Sequence, residues 1–180
     1  MEKTMDIRNL EVIREMINEA IEKVNEILGT DLEPIEIPIE WNGRLSRSLG
    51  YFESTTDETP IKISLSKKMW VLSIEQQIDT ILHEGSHYIA LMIYKENCGH
   101  DKRWKQIAKI VGANPNPYAK FSEEDKIAYR TTKKYTVTCK CCEAKAYYDR
   151  MGKNKINDFN NGAYTCGKCK GDKFTIVKNY

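Results

Sequence analysis

The apolar residues of this chain change their spacing from one stretch to the next, and the changes mark its elements. Ile7, Leu10, Ile13, Ile17, Ile21, Val24 and Leu28 recur at three- and four-residue steps, which predicts an amphipathic helix over 5–28. Its other face carries Glu and Lys, a solvated surface, and Gly29 stands where a left-handed C-cap belongs. Residues 35–41, IEIPIEW, alternate apolar and polar as a strand does. Pro38 cannot donate to a ladder, so that strand is expected at a sheet edge. Strands are also predicted over 48–53 and 60–65, and the polar STTDET between them predicts a hairpin. A second helix runs from Ile74 to about Lys95, apolar at Ile78, Ile81, Leu82, Ile89, Met92 and Ile93. Asn97-Cys98-Gly99 breaks it. Asp101 then reads as the cap of a third helix with Trp104, Ile107, Ala108 and Val111 on one face, ended by Gly112 to Pro117. Residues 118–134 are polar, with a short helix from near Ser122. From Tyr135 onward the pattern is β-like and rich in turns.

Charge divides the chain where the pattern does. Residues 1–132 hold 17 Lys and Arg against 22 Asp and Glu, a net of −5. Residues 133–180 hold 11 against 4, a net of +7, and five of the six cysteines. An acidic body joined to a basic, cysteine-rich tail is therefore expected, with a body over 1–118, a linker over 119–134 and a tail over 135–180. The 41% hydrophobic and 30% charged composition is that of a globular domain. No run of 18 apolar residues exists, which excludes a membrane-spanning helix. The N-terminus lacks the basic-then-apolar pattern of a signal peptide, so a cytoplasmic location is expected; separately, a monomer is expected.

A reducing compartment disfavours disulfides and turns attention to metal. Cys139 and Cys142 form one C-x-x-C pair, and Cys166 and Cys169 form another, with 23 residues between. Two such pairs resemble a structural zinc site, in which four thiolates take the corners of a tetrahedron. Cys141 is possible in place of Cys142, although Cys142 matches the geometry of the second pair. Gly167 and Gly171 would ease a positive-φ knuckle. A free-thiol or redox cluster is the alternative, and Cys98, alone, reads as a small half-buried hydrophobe.

The chemistry-bearing stretch is short. All three histidines lie between positions 83 and 100, and His83-Glu84-Gly85-Ser86-His87 is H-E-x-x-H. On a helix, positions i and i+4 share a face, so both imidazoles can reach one ion. Glu84 sits beside them, placed to take a proton from a water that the ion acidifies. A catalytic zinc needs a third protein ligand and an open fourth position. His100, just past the Asn97–Gly99 break, is the candidate, with Glu96 and Cys98 as alternatives. Gly85 costs about 1 kcal/mol inside a helix, so close packing is expected there. Tyr88 and Arg47 are candidate oxyanion partners.

Four segments together carry a resemblance: WNGRLSRSLGYFES, IKISL, TILHEGSHYIALMI and GHDKRWKQIAKIVGANP. They resemble the SprT-like (Spartan) metallopeptidase family, many members of which end in a zinc ribbon. The likeness covers roughly residues 5–175. It implies an α+β, zincin-like fold, with helices on a small antiparallel sheet, followed by a small β zinc ribbon. It implies one catalytic Zn2+ on His83, His87 and His100, one structural Zn2+ on the cysteines, Glu84 as general base, and hydrolysis of peptide bonds in proteins crosslinked to DNA. Asp101 departs from the family, which often has Gly after the third His.

The basic tail suits a phosphate backbone, and DNA contact without sequence preference, possible with single strands, is expected of it. Lys145, Arg150, Lys153 and Lys155, between the cysteine pairs, are the first candidates. Tyr135, Tyr147, Tyr148, Phe159, Tyr164, Phe174 and Tyr180 could stack unpaired bases, or could instead build the ribbon's own core. The rival to a peptidase acting on DNA-bound protein is a non-catalytic zinc-containing DNA-binding adaptor.

Overall fold

Ile13, Ile17, Ile21 and Val24 turn inward from one face of the first helix, α1 (Leu10–Leu28), in a computed structural model that describes residues 6–118 and 121–179. The helix starts later than its apolar pattern. Asn9 accepts a hydrogen bond from the Glu11 N–H and so caps the helix at that point, although Ile7 is still buried. Residue 5 lies outside the described residues. Gly29 ends the helix at φ 66°, its N–H on the Asn25 carbonyl.

The strand expected over 35–41 is confined to β1 (Ile39–Asn42). Side chains of α1 take the earlier residues. The Arg14 guanidinium donates to the carbonyls of Ile35, at 2.6 Å, and Ile37, and the Ile35 N–H donates to Asn18. The expected hairpin is β2 (Gly50–Ser54) with β3 (Pro60–Ser66), antiparallel. The order is β1-β3-β2, and β1 runs parallel to β3, so one half of this sheet departs from the antiparallel expectation. Both β1 and β2 are edges. A 3-10 turn at Lys67–Val71 leads to α2 (Ile74–Tyr94), capped by Ser73. Asp101 caps α3 (Lys102–Val111) by accepting from the N–H groups of Arg103 and Trp104.

Ile63 and Leu65 of β3, Ile81 and Ile89 of α2 and Trp104 and Ile107 of α3 are fully buried with the α1 face. A Cβ at Gly85 would lie 3.3 Å from Ile17 Cγ1, so the glycine is where α1 rides closest on α2. Two carboxylates fasten the residues after α3 to α2. Asp79 accepts from the Asn114 N–H at 2.7 Å, and Asp125 accepts from the Ser73 N–H and hydroxyl at 2.6 and 2.8 Å.

The chain divides into two compact units, Met1–Asp125 and Lys126–Tyr180, within α4 (Glu123–Thr131), the short helix expected near Ser122. The second unit has an antiparallel sheet of β4 (Tyr135–Cys139), β5 (Lys145–Tyr148) and β6 (Phe174–Lys178), in the order β5-β4-β6. The segment between the cysteine pairs is not all strand and turn, as the β-like pattern from Tyr135 onward predicts. It holds β5 and a helix, α5 (Lys153–Asn160). KNKINDFN contains three weak helix-forming asparagines. Ile156 and Phe159, three residues apart, hold the helix by packing against Val137 and Met151. The α+β class stands.

Candidate active site

Helix α2 sets His83 and His87 one turn apart on one face, ring centroids 5.0 Å from each other. The chain then turns back. Lys95 ends α2 in the left-handed region, Gly99 adopts φ 51°, and the Asn97 side chain accepts from the Gly99 N–H. This turn brings His100 Nε2 to 3.1 Å from both His87 Nε2 and His83 Nε2. The rings rest on Trp104, which is fully buried, with centroid distances of 4.7 Å to His83, 5.1 Å to His87 and 4.6 Å to His100. Trp104 read from sequence only as a core residue. Its place in the first turn of α3, four residues after His100, was the available signal that it would lie under the site.

The three nitrogens fit a zinc ion. Bonds of about 2.0–2.1 Å at a tetrahedral angle put ligand nitrogens about 3.3 Å apart. Burial holds the His83 ring's pKa down to about 4, with a smaller push from His100. Burial likewise holds His87 at about 3, and His100 lies below its ordinary value. The lone pairs are therefore free at neutral pH. His83 and His87 are half-buried and His100 is exposed, which leaves one side of the triad open. Glu96 lies outside this group and pairs instead with Arg103. Cys98 is buried, as its apolar reading expects, and is not in the group.

Glu84 is 7% exposed, and its Oε2 accepts from the Phe52 N–H at 2.9 Å. Burial pushes its carboxyl up to about 7, against the pull of that N–H. The carboxylate and the three rings border one cleft, along which β2 runs. Arg47, Asp79 and Pro117 line its continuation past His83. Arg47 is exposed there, whereas Tyr88 is buried edge-on against Phe52 and lines neither part.

In the second unit, Cys139, Cys142, Cys166 and Cys169 form a second group that could hold a metal ion. Cys139 Sγ lies 3.5 Å from Cys169 Sγ, and Cys142 Sγ lies 3.6 Å from Cys166 Sγ. Zinc–sulfur bonds of about 2.3 Å require about 3.8 Å. Cys141 is exposed and outside the group. The N–H groups of Cys142 and Cys141 hold the Cys139 thiol below its ordinary value, and those of Cys169 and Lys168 bring Cys166 down to about 6. The knuckles place positive φ at Glu143 and Lys170, each directly after a pair, and not at Gly167 or Gly171. Gly171 sits close to the site, where a Cβ would lie 3.3 Å from Cys141 Cβ, a tight contact, and 3.5 Å from Cys169 Sγ.

Of the candidate DNA contacts, Lys145, Arg150 and Lys153 are exposed, while Lys155 Nζ lies over the Tyr148 ring at 4.1 Å. Most of the tail aromatics serve the ribbon itself. Tyr135, Tyr148 and Phe174 pack on its core with Phe159, and Arg130 covers Tyr147. Tyr164 is 39% exposed. Tyr180 lies outside the described residues.

Two helices over a three-stranded sheet, with H-E-x-x-H and a returning histidine on one ion-sized triangle, define a metallopeptidase-like domain. The model of the SprT-like family matches residues 17–135, and the chain belongs to that family. No curated protein and no solved structure matches it. None of the described helices is long and apolar enough to cross a membrane.

Proposed function

We propose that this chain is a zinc-dependent endopeptidase acting on proteins bound or crosslinked to DNA. The observation that carries the reading is the pairing of a buried carboxylate, Glu84, with three neutral imidazoles on one open cleft. His83, His87 and His100 would hold the ion. When bound, zinc supplies a Lewis acid that polarises a carbonyl and brings the pKa of water down towards about 7. Burial raises the Glu84 carboxyl above its ordinary value, which suits a group that accepts a proton from water and returns it to the leaving nitrogen. Strand β2 is an edge of the sheet and runs beside the triad, a place where an extended peptide can lie along the cleft, with the Phe52 N–H already taken by Glu84. Arg47 is an exposed cation lining the same cleft, available to a developing oxyanion.

The four cysteines would hold a second, structural zinc. The net charge of +7 in the tail, with Lys145, Arg150 and Lys153 exposed, supports non-specific contact with the phosphate backbone.

The test is Glu84→Gln in the zinc-loaded protein, assayed on a small protein attached covalently to a single-stranded oligonucleotide. We expect cleavage to fall by about 10²- to 10⁴-fold with zinc content kept. Cleavage that survives overturns the role of Glu84. Oligonucleotide binding with no cleavage by the unaltered chain would favour the adaptor.

A further inference from the structure

Glu84 is held from outside its own helix, and the hold is specific. In β2, Tyr51 lies opposite Ser64, Phe52 opposite Ile63 and Glu53 opposite Lys62. The Ile63 N–H is spent on the other side, on the Pro38 carbonyl. In an antiparallel pair the residues that exchange hydrogen bonds alternate with residues that do not, so Phe52 points its N–H away from β3. That free N–H meets Glu84 Oε2 at 2.9 Å.

Two residues earlier on the same strand stands Gly50. A Cβ built there would fall 2.5 Å from Glu84 Cγ, 2.6 Å from Oε1 and 2.9 Å from Cδ. Gly50 is not among the residues with positive φ, so backbone conformation does not demand a glycine. Space does. The spacing of helix and strand makes the fit possible. Four residues of helix rise about 6 Å and two residues of strand about 6.6 Å. Glu84 and Tyr88 on α2 therefore face Gly50 and Phe52 on β2 in step, and the Phe52 and Tyr88 rings meet edge-on at 6.2 Å.

We infer that Gly50 and the Phe52 N–H form a seat that fixes the Glu84 carboxylate, and that Gly50 is a positioning residue for the reaction. The inference rests on the reading of Glu84 as the base. The atoms that a Cβ would strike all belong to the Glu84 side chain and none to backbone, so Gly50→Ala must displace the Glu84 carboxylate from its place.

The zinc-loaded full chain is compared with its Gly50→Ala, Glu84→Gln, Glu84→Ala and Gly50→Ala/Glu84→Ala variants. Amide hydrogen exchange at Phe52 reads the seat without any catalysis. We expect exchange to quicken by about tenfold or more in Gly50→Ala and in Glu84→Ala. Cleavage of an unstructured protein, casein, should show kcat down by about tenfold or more in Gly50→Ala, with KM and zinc content unchanged. The double variant should melt with Glu84→Ala, because the added methyl then has nothing to displace. Unchanged Phe52 exchange in Gly50→Ala overturns the seat. Full kcat in Gly50→Ala, where Glu84→Gln is inactive, overturns the positioning role alone. Full activity in Glu84→Gln overturns the base, and with it the positioning role, while Phe52 exchange still decides whether the seat exists.

Discussion

The two groups of metal-binding side chains sit in very different surroundings. The histidines stand on a core shared by three helices and a sheet, in which Trp104, Ile81, Ile89 and Leu65 are fully buried. The cysteines belong to a unit of about 55 residues whose buried apolar cluster is only Val137, Met151 and Phe159. A core of the first size folds by itself, so an ion held there would be free to act as a reagent. A core of the second size would need an ion as part of the fold. The lesson is that ligand type follows from task. Three neutral rings leave a side open, whereas four thiolates close the sphere.

The largest expected effect tests that contrast directly. Cys166→Ala should unfold the ribbon, because structural zinc supplies about 10–16 kcal/mol in small zinc domains. In NMR spectra the resonances of residues 135–179 should collapse while those of α1 to α3 persist. His83→Ala should instead lose one zinc and keep both folds. If each variant loses both ions, the two sites are not independent. Next, Trp104→Ala should cost the first unit about 3–5 kcal/mol in urea unfolding, as large aromatic deletions do. A loss below about 1 kcal/mol would mean that the ring is a ligand rest and not a core residue.

A pH series on chelated protein comes third. The pKa values of His83 and His87 are about 4 and about 3 in the folded chain, against 6.5 for free histidine. The unfolded chain therefore binds more protons as pH falls below 6.5. Stability from these groups is complete above 6.5 and is lost as pH falls through 4 to 3. Melting curves of chelated protein should show this fall, and His87→Ala should flatten it. Asp125→Ala is the smallest. It strips two hydrogen bonds from Ser73 at the head of α2 and should cost about 1–3 kcal/mol in the first unit's unfolding. An equal loss in the ribbon would contradict the division at Asp125.

Local signals were legible in the sequence. Asn97-Cys98-Gly99 and Asp101 fix where α2 stops and α3 starts, and that turn is what allows His100 to return. Gly29 and the apolar spacing of α1 are equally local. What the sequence hid depends on distant partners. The parallel pairing of β1 with β3 has no short-range signature, and residues 35–37 look like strand until Arg14 and Asn18 reach them from α1. Helix α5 is held by packing and not by propensity. Gly167 and Gly171 looked like knuckle hinges, but the bends fell on Glu143 and Lys170. Gly50 carries no local signal, because its reason is a side chain 34 positions later.

The indole under the histidines carries one more consequence. Trp104 is within about 5 Å of all three imidazoles, while the other two tryptophans, Trp41 and Trp70, pair with each other at 5.4 Å. With both of those replaced by Phe, the remaining emission comes from a chromophore lying against the ligands. Its intensity would fall on addition of a paramagnetic ion such as Co2+ and recover as a chelator removed it. The protein thus carries its own optical gauge of occupancy, readable in real time and without a label.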